Sequence, residues 1–520
     1  MDIKNRLTLA GTGLLGILEP DHELMPTVDG FDVAHDLGRW WDAVLRLEEV
    51  IGFTIPAELE AASLRNLKRL TENPFCLLMS RKDVSWLSDE VRKKARIFPH
   101  NYRETFIAYE VLIRRRNSSW ARKSALELVA SMDSCMQDDG SFDLERYISW
   151  GKTPLTDDQF CLEIKDSSGW FDSTQTSGRA LEALVWLYEA TGDMPFFNLA
   201  TRIAELHYKN CIAFDGSIRA EILDANHRGH NHSYQGTLRG LLLYGLLTDQ
   251  KKYVDAVANT YRNSIRYKLV RESGWTPHDL GRFTCVNAHG DYMADPASAG
   301  DSAQIALWLA LRVGHDDLLD DVERIVRARL LPAQLTHDDI AQNPERTFAT
   351  KDIGAWTIND VPHAGKRCLP DVHAAVTHTL CDIQSNIVTQ TAIGLRVNLH
   401  FDYEDENITI KSTRDKQAKL SVCVKCHTTI MIRIPAWAPE ETLGISVDGN
   451  TINLQRVGVF ALIPVDILKV GSMIELLFDL PEKITTEELH SGTSYRFKWR
   501  GDEIIGVDPQ DTPMHYYQKM

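Results

Sequence analysis

Nowhere does the chain hold the roughly 18 consecutive apolar residues that a membrane-spanning helix needs, so no membrane partner is expected. Cysteine is scarce and odd in number: nine residues scattered over 520 suit reduced thiols better than a disulfide framework. Positive charge is also short. Lys and Arg number 57 against 73 Asp and Glu, a formal net charge of -16, so the electrostatic footprint that a phosphate backbone requires is missing and nucleic acid is not an expected partner. The chain is otherwise ordinary globular material, with 43% hydrophobic and 25% charged residues. Its length exceeds what one hydrophobic core usually organises, which favours a large repetitive domain or at least two domains.

An apolar stretch from Leu7 to Leu18 behind Lys4 and Arg6 has the outline of a signal peptide. Gly11, Thr12, Gly13 and Gly16 interrupt it and no small-residue cleavage site follows, so a cytoplasmic location is the expectation, with secretion left open.

Between Gly30 and Gln384 one pattern recurs: a loop rich in Gly, His, Asp and aromatics, an apolar helix, a short turn, then an amphipathic helix. The clearest copies are Arg179 to His207, Thr237 to Ile265 and Ser302 to Leu330, with weaker ones starting at Leu37, Tyr102 and Val372. In each clear copy the first helix is apolar nearly all round, as in Ala180, Leu181, Ala183, Leu184, Val185 and Leu187, and such a helix belongs inside. The second has one polar face, as Val254, Val257, Ala258 and Tyr261 show. About six inner helices are counted, the number at which such hairpins close into an (α/α)6 toroid. From Gly394 the period changes to short alternating runs such as Leu395 to Phe401 and Thr429 to Ile434, separated by turns such as Asp448-Gly449-Asn450. Short, regularly spaced strands indicate a β-sandwich. The expected fold is therefore mainly α with a C-terminal β part: a toroid over 1–393 and a sandwich over 394–520.

If the inner helices run in one direction, the loops before them open at one end, and their free N–H groups favour anions and ordered hydroxyls there. Those loops contain Asp36, Arg39, Trp40, Trp41 and Asp42; Trp170, Asp172 and Arg179; His230, His232, Tyr234 and Gln235; His289, Asp291, Asp295 and Asp301; and His363, Arg367, Asp371 and His373. Aromatics, carboxylates and histidines together suit a sugar, whose apolar face stacks on rings while its hydroxyls meet charge. Asp36, Asp301 and Asp371 serve equally well as helix N-caps. His230 and His232, at alternate positions, project together from an extended loop; zinc would need further ligands that spacing does not identify. Asp291, Asp295 and Asp301 stand among small residues, and glycoside cleavage by the usual route needs two carboxyl groups, so Asp291 or Asp295 with Asp172 is the first catalytic pair. Trp41, Trp170, His230, His232, Tyr234, His289, His363, Arg367 and Asp371 are the candidate sugar contacts. Cys423-Val424-Lys425-Cys426-His427 has the letters of a haem-attachment motif but lies in an alternating strand, where the structural role is expected.

The C-terminal part carries Ile432-Arg433-Ile434-Pro435-Ala436-Trp437-Ala438, Val447-Asp448-Gly449, Leu477-Phe478-Asp479-Leu480-Pro481 and Trp499-Arg500-Gly501-Asp502, preceded by Gly229-His230 and Asp321-Val322-Glu323-Arg324. In these the chain resembles the β-L-arabinofuranosidase family of glycoside hydrolases, within the six-hairpin glycosidase superfamily. The resemblance implies an (α/α)6 barrel followed by β-sandwich domains, and makes His230 similar to the family's sugar-binding histidine. It departs from the family at the zinc site, which there uses a Glu and three Cys. Gly300-Asp301-Ser302 has no Glu-x-Cys, Pro370-Asp371-Val372-His373 has no Cys-Cys, and Cys368 and Cys381 stand alone. A thiolate–zinc mechanism is therefore not carried over, and no cofactor is expected.

The expected function is metal-independent, exo-acting glycoside hydrolysis on a terminal sugar of an oligosaccharide or polysaccharide. The alternative is β-elimination or epimerisation of a uronic acid, with His230, His232, Tyr234, Arg239 and Arg367 as the base and cation set. A non-catalytic glycan-binding protein is the third reading, and a homodimer is compatible with all three.

Overall fold

The computed structural model describes residues 2–26, 33–79, 100–143, 178–220, 222–223, 230–280, 294–342, 352–356, 370–489, 492–510, 514 and 516–520. Among these residues twelve helices alternate between an inner and an outer layer. The inner ones are α2 (Val33–Ile51), α4 (His100–Arg116), α6 (Ala180–Thr191), α8 (Asn231–Leu247), α10 (Pro296–Trp308) and α12 (Pro370–Ser385). The outer ones are α1 (Ile3–Gly16), α3 (Ala57–Thr71), α5 (Ser119–Ser134), α7 (Met194–Cys211), α9 (Lys251–Thr260) and α11 (Leu319–Ile325). Each inner helix packs on the next, and α12 packs back on α2, so the inner layer closes. Every residue of α10 is buried, as expected for a helix with both neighbours and an outer helix around it.

Local chemistry sets the helix ends. Asp295 caps α10 by accepting from the Ala297 amide, and Pro296 takes the first helical position, where its missing N–H costs nothing. Gly192, at φ 72°, ends α6 in the left-handed conformation that an L side chain resists. Gly38 lies so close to the Glu104 carbonyl of α4 that a Cβ there would strike backbone, which fixes how tightly α2 and α4 approach.

The N-terminal apolar stretch has a structural place: α1 is the outer partner that closes the ring, packed on α2 and α12, with Ile3, Leu7, Ala10 and Leu14 fully buried. Its interrupting glycines are contact points, Gly11 against the Phe53 ring and Gly13 against the Ile353 carbonyl and the His373 ring. No helix among the described residues is long and apolar enough to cross a membrane.

Strands begin at Val388, so the first hairpin, β1 (Val388–Thr391) with β2 (Gly394–Val397), straddles residue 393. One sheet has the order β1-β2-β6-β10-β9, with β6 Ile430–Arg433, β9 Gln455–Val457 and β10 Phe460–Ile463. The second has the order β3-β4-β5-β11-β7-β8, with β3 Tyr403–Glu404, β4 Ile408–Arg414, β5 Gln417–Val424, β7 Gly444–Val447, β8 Asn450–Thr451 and β11 Met473–Asp479. In β5 every second residue is buried, the alternation of a strand with one face on a core. A third sheet, β12 (Glu482–Glu488), β13 (Ser494–Arg500) and β14 (Glu503–Asp508), was not foreseen as separate. It has its own apolar cluster, in which Tyr495, Phe497 and Trp499 meet Trp275 and Ala328 of the helical part. Sheet and toroid are locked by buried charge: Glu323 accepts from Arg327 Nε at 2.8 Å and from the His400 amide at 3.1 Å, and pairs with Arg433 of β6.

Candidate active site

Side chains from the first turns of the inner helices meet one another, and so do those from the last turns, so these helices run in one direction and share an N-terminal mouth. Just inside that mouth the lumen holds a belt of charge rather than apolar side chains. Glu104 (α4) accepts from Arg39 (α2) at 3.2 Å, Arg103 at 3.0 Å and Arg179, the residue preceding α6, at 2.6 Å. Glu182 (α6) pairs with Arg103 at 3.2 Å and Arg239 (α8) at 3.0 Å. Arg239 also reaches Asp301 of α10 at 3.0 Å and donates to Gln304. Gln304 donates to Asp382 of α12 at 2.9 Å, and Arg39 donates to the Asp371 carbonyl at 3.2 Å, so the belt runs from helix to helix around the axis. All four arginines are at most 5% exposed. Burial pushes the Arg179 guanidinium down to about 9, with Arg39 and Arg103 adding to it against the pull of Glu104.

Above the belt, His232 Nδ1 meets Asp301 Oδ2 at 2.5 Å, and both side chains are at most 4% exposed. Burial is the main cause that pushes His232 well below the usual histidine range, and Arg39, Arg179, Arg103 and Arg239 push the same way. A neutral ring whose Nδ1–H donates to Asp301 presents a bare lone pair at Nε2, and that atom is buried with no partner among the described residues. His230, the N-cap of α8, sets Nδ1 2.8 Å from Ser233 Oγ, which also accepts from Arg179 at 3.3 Å. Its ring packs 4.4 Å from that of His278, centroid to centroid, and 5.9 Å from that of His232. Burial, then His278 and His232, keep His230 neutral at ordinary pH.

The third element of the mouth is the extended segment around residues 276–279. The Asn231 amide donates to the His278 carbonyl at 2.9 Å, and the Asp295 amide donates to the Thr276 carbonyl at 2.9 Å, which ties the starts of α8 and α10 together. His278 Nδ1 lies 2.9 Å from Asp279 Oδ1. Asp295 accepts from Ser298 Oγ at 2.6 Å, and burial raises its carboxyl above the usual range, with Asp301 adding to the rise and His278 opposing it.

The sequence-expected residues divide as follows. His230, His232, Asp295 and Asp371 stand at the N-terminal ends of α8, α10 and α12. Asp172, Trp170, His289, Asp291, His363 and Arg367 lie outside the described residues, as does Cys368. Two local readings are corrected: His232 belongs to the first turn of α8, not to an extended loop, because that helix begins at Asn231. Asp301 is not a cap; Asp295 is, and Asp301 sits about 1.7 turns further into α10. Trp41 is fully buried edge-on to Trp40 at 5.3 Å, and Tyr234 is fully buried with its hydroxyl 3.4 Å from the Cys211 carbonyl of α7, so both are placed in helix packing rather than at the mouth.

Sequence reasoning missed Arg103, Glu104, Glu182, Gln304, His278 and Asp279. A signal existed for Glu182: a carboxylate on a helix with no polar face must point into a polar lumen. None existed for His278 and Asp279, which belong to no repeat. Among the described residues a thiolate–zinc arrangement does not fit: no three His, Cys, Asp or Glu side chains gather as metal ligands, and Cys381 is buried in α12 with its thiol pushed up by burial.

No family model and no curated protein matches the chain. Solved structures do. A GH127 beta-L-arabinofuranosidase from Geobacillus stearothermophilus T6 is similar over 96% of this chain and 80% of its own, at 12% identity and a TM-score of 0.57. A second GH127 beta-arabinofuranosidase is similar over 97% and 81%, at 12% identity and a TM-score of 0.60. A protein described as a glycoside hydrolase is similar over 96% and 80%, at 14% identity and a TM-score of 0.57. The chain thus has the fold of these proteins, a six-hairpin (α/α)6 toroid followed by β-sandwich sheets.

Proposed function

We propose that the protein is a glycoside hydrolase that removes a terminal sugar from an oligosaccharide or polysaccharide at the N-terminal mouth of its toroid. The observation that carries this reading is the His232–Asp301 pair: with Nδ1 held on Asp301, Nε2, unpartnered among the described residues, is left to serve as a base. The fold supports it, because structures that share this toroid-plus-sandwich arrangement over most of the chain are described as glycoside hydrolases. In the proposed chemistry His232 takes a proton from the attacking water while Asp301 stabilises the imidazolium that forms. A carboxyl raised by burial donates to the departing oxygen, and Asp295 is the candidate among the described residues. Asp291 and Asp172 remain candidates for the second carboxyl. His230, its ring set by Ser233, would hold sugar hydroxyls.

A second reading is favoured by the same neutral base standing over arginines: proton abstraction from a uronic acid followed by elimination. One experiment separates the two. The purified protein is incubated with a panel of plant and bacterial oligosaccharides, neutral and uronate-containing, and reducing ends and ultraviolet absorbance are followed together. New reducing ends without absorbance support hydrolysis; absorbance from an unsaturated product replaces it with elimination; retention of the glycan without turnover makes the protein a binding module. In the supporting case His232→Ala and Asp301→Asn each lower kcat by roughly 10²- to 10⁴-fold. Full activity in both variants rejects this site.

A further inference from the structure

The opposite end of the toroid, where the inner helices finish, also holds a cavity, with a volume of about 280 Å³. That is close to the lower end of ligand-pocket volumes, roughly 300 Å³, and far above the roughly 30 Å³ share of one water. At its base Asp42 and His378 repeat the arrangement of the other mouth: His378 Nδ1 lies 2.5 Å from Asp42 Oδ2. Nε2 of His378, a side chain only 5% exposed, is buried without a partner among the described residues. Asp42 is held well below the usual carboxylate range: burial opposes this, and Arg46 and His378 outweigh it. Asp42 is thus an acceptor and His378 donates to it through Nδ1, which leaves Nε2 as the polar atom of the ring available to the cavity.

The walls say what can meet that atom. Arg46, bonded through Nε to Asp42 at 2.7 Å, lies 5.0 Å over the Trp186 ring, whose plane also stacks on His378 at 5.7 Å. Asp382 is occupied by Trp308 Nε1 at 2.6 Å and Gln304 at 2.9 Å. Arg114 is bonded to Glu110 at 2.5 Å. At the rim Glu189 and Arg312 are exposed and make no hydrogen bond or ion pair among the described residues, although Arg312 lies 5.1 Å over Trp308. Arg46 and Arg114 are thus paired with carboxylates, Arg115 pairs with Glu49 outside the cavity, Asp382 holds only uncharged donors, and Glu189, Arg312 and His378 Nε2 are left to meet a ligand. An anion would face Glu189, Asp382 and the carbonyl ends of the inner helices, which disfavour negative charge, while Arg46 and Arg114 are already engaged by carboxylates. A cation would face Arg46, Arg114 and Arg312. A neutral molecule with several hydroxyls, each both donor and acceptor, meets all three groups that lack a partner among the described residues: it donates to Glu189, accepts from Arg312 and bonds His378 Nε2.

We infer that this C-terminal mouth is a second binding site, for a neutral polyhydroxylated molecule of monosaccharide size, separate from the mouth that carries His232. The test uses the full chain labelled with 5-fluorotryptophan, the fluorine resonances of Trp186 and Trp308 being assigned with W186F and W308F. D-glucose, D-galactose, D-xylose and L-arabinose are titrated separately, with glycine and inorganic phosphate as zwitterion and anion. Expected is a saturable shift of both resonances with at least one sugar, kept in His232→Ala and weakened tenfold or more in Arg312→Ala and Glu189→Ala, whose exposed positions leave the fold intact. The inference is overturned if no sugar shifts them and the cavity holds water only. It is also overturned if glycine or phosphate shifts them in place of the sugars, or if the shift survives in Arg312→Ala and Glu189→Ala.

Discussion

Replacing Glu104 by glutamine removes one negative charge and nothing else of substance. Its carboxylate is completely buried and is shared by three guanidiniums, those of Arg39, Arg103 and Arg179, at 2.6 to 3.2 Å. Glutamine keeps the length but turns one acceptor oxygen into a donor, so at least one arginine loses its hydrogen bond and all three lose the countercharge. Breaking a buried ion pair from one side costs about 3–5 kcal/mol. Arg103 keeps Glu182 and Arg39 keeps the Asp371 carbonyl, which argues for the middle of that range, about 4 kcal/mol. If the helical part through Ser385 unfolds as one unit, an unfolding entropy of about 2.1 cal/mol/K per residue gives roughly 0.8 kcal/mol/K. The expected fall in Tm is then about 5 °C, read by calorimetry at neutral pH and checked by urea unfolding followed by circular dichroism. Glu104→Gln melting within about 1 °C of the parent would mean that the belt is solvated or that its charges are not coupled, and the account of the lumen would fail with it.

Two further predictions concern stability. Burial pushes His373 and His400 each down to about 3, so the fold keeps both neutral. The unfolded chain takes up a proton at each as pH falls below about 6.5, so stability is full above that value and is lost on acidification, by about 4 kcal/mol for the pair between pH 8 and pH 5. His400→Gln, which retains a donor for the Arg433 carbonyl, removes its half of that contribution, about 2 kcal/mol, from the acid loss in urea titrations; an unchanged slope refutes the assignment. Glu323 is buried and held below the usual carboxylate range, burial being outweighed by Arg327 and Arg433, and it joins α11 to β6. Glu323→Gln is expected to split calorimetric unfolding into two transitions, one for the toroid and one for the sheets; a single transition at the parent temperature contradicts that role.

Much of the toroid is legible in the residues, for a physical reason. A helix such as Ala180 to Leu187, apolar nearly all round, has no stable place except between other helices, so the repeat announces its inner layer. The switch to period two near residue 394 is equally direct. The belt is harder to read, because Arg103-Glu104 in one helix looks like an ordinary solvated pair until ring closure makes its face the lumen. The role of α1 was hidden for the opposite reason. Its glycines break the apolar run, and only the packed structure shows that Gly11 and Gly13 are where Phe53 and His373 come close. In the candidate site, the position of His230, His232, Asp295 and Asp371 at helix starts could be read because helix starts concentrate polar residues. His278 could not, since it reaches the mouth through backbone pairing with Asn231 rather than through any repeat.

In the proposed function the belt would contribute through orientation more than stability, since buried ion pairs add little net free energy compared with well-packed apolar groups. Arg239 is the residue on which this can be tested. Its planar fork holds Glu182 through Nη2 and reaches Asp301 and Gln304 through Nη1, so it fixes the carboxylate that in turn fixes His232. Lysine at that position keeps the charge but cannot span all three partners. In protein labelled with nitrogen-15 at histidine, His232 is expected to show a protonated Nδ1 and a bare Nε2. In Arg239→Lys the two tautomers should mix, with Asp301 free to swing while the fold persists. A parent spectrum with the proton on Nε2 would remove the base from the mouth, because the atom assigned to the attacking water would then be a donor and the proposed hydrolysis would have no place to put its first proton.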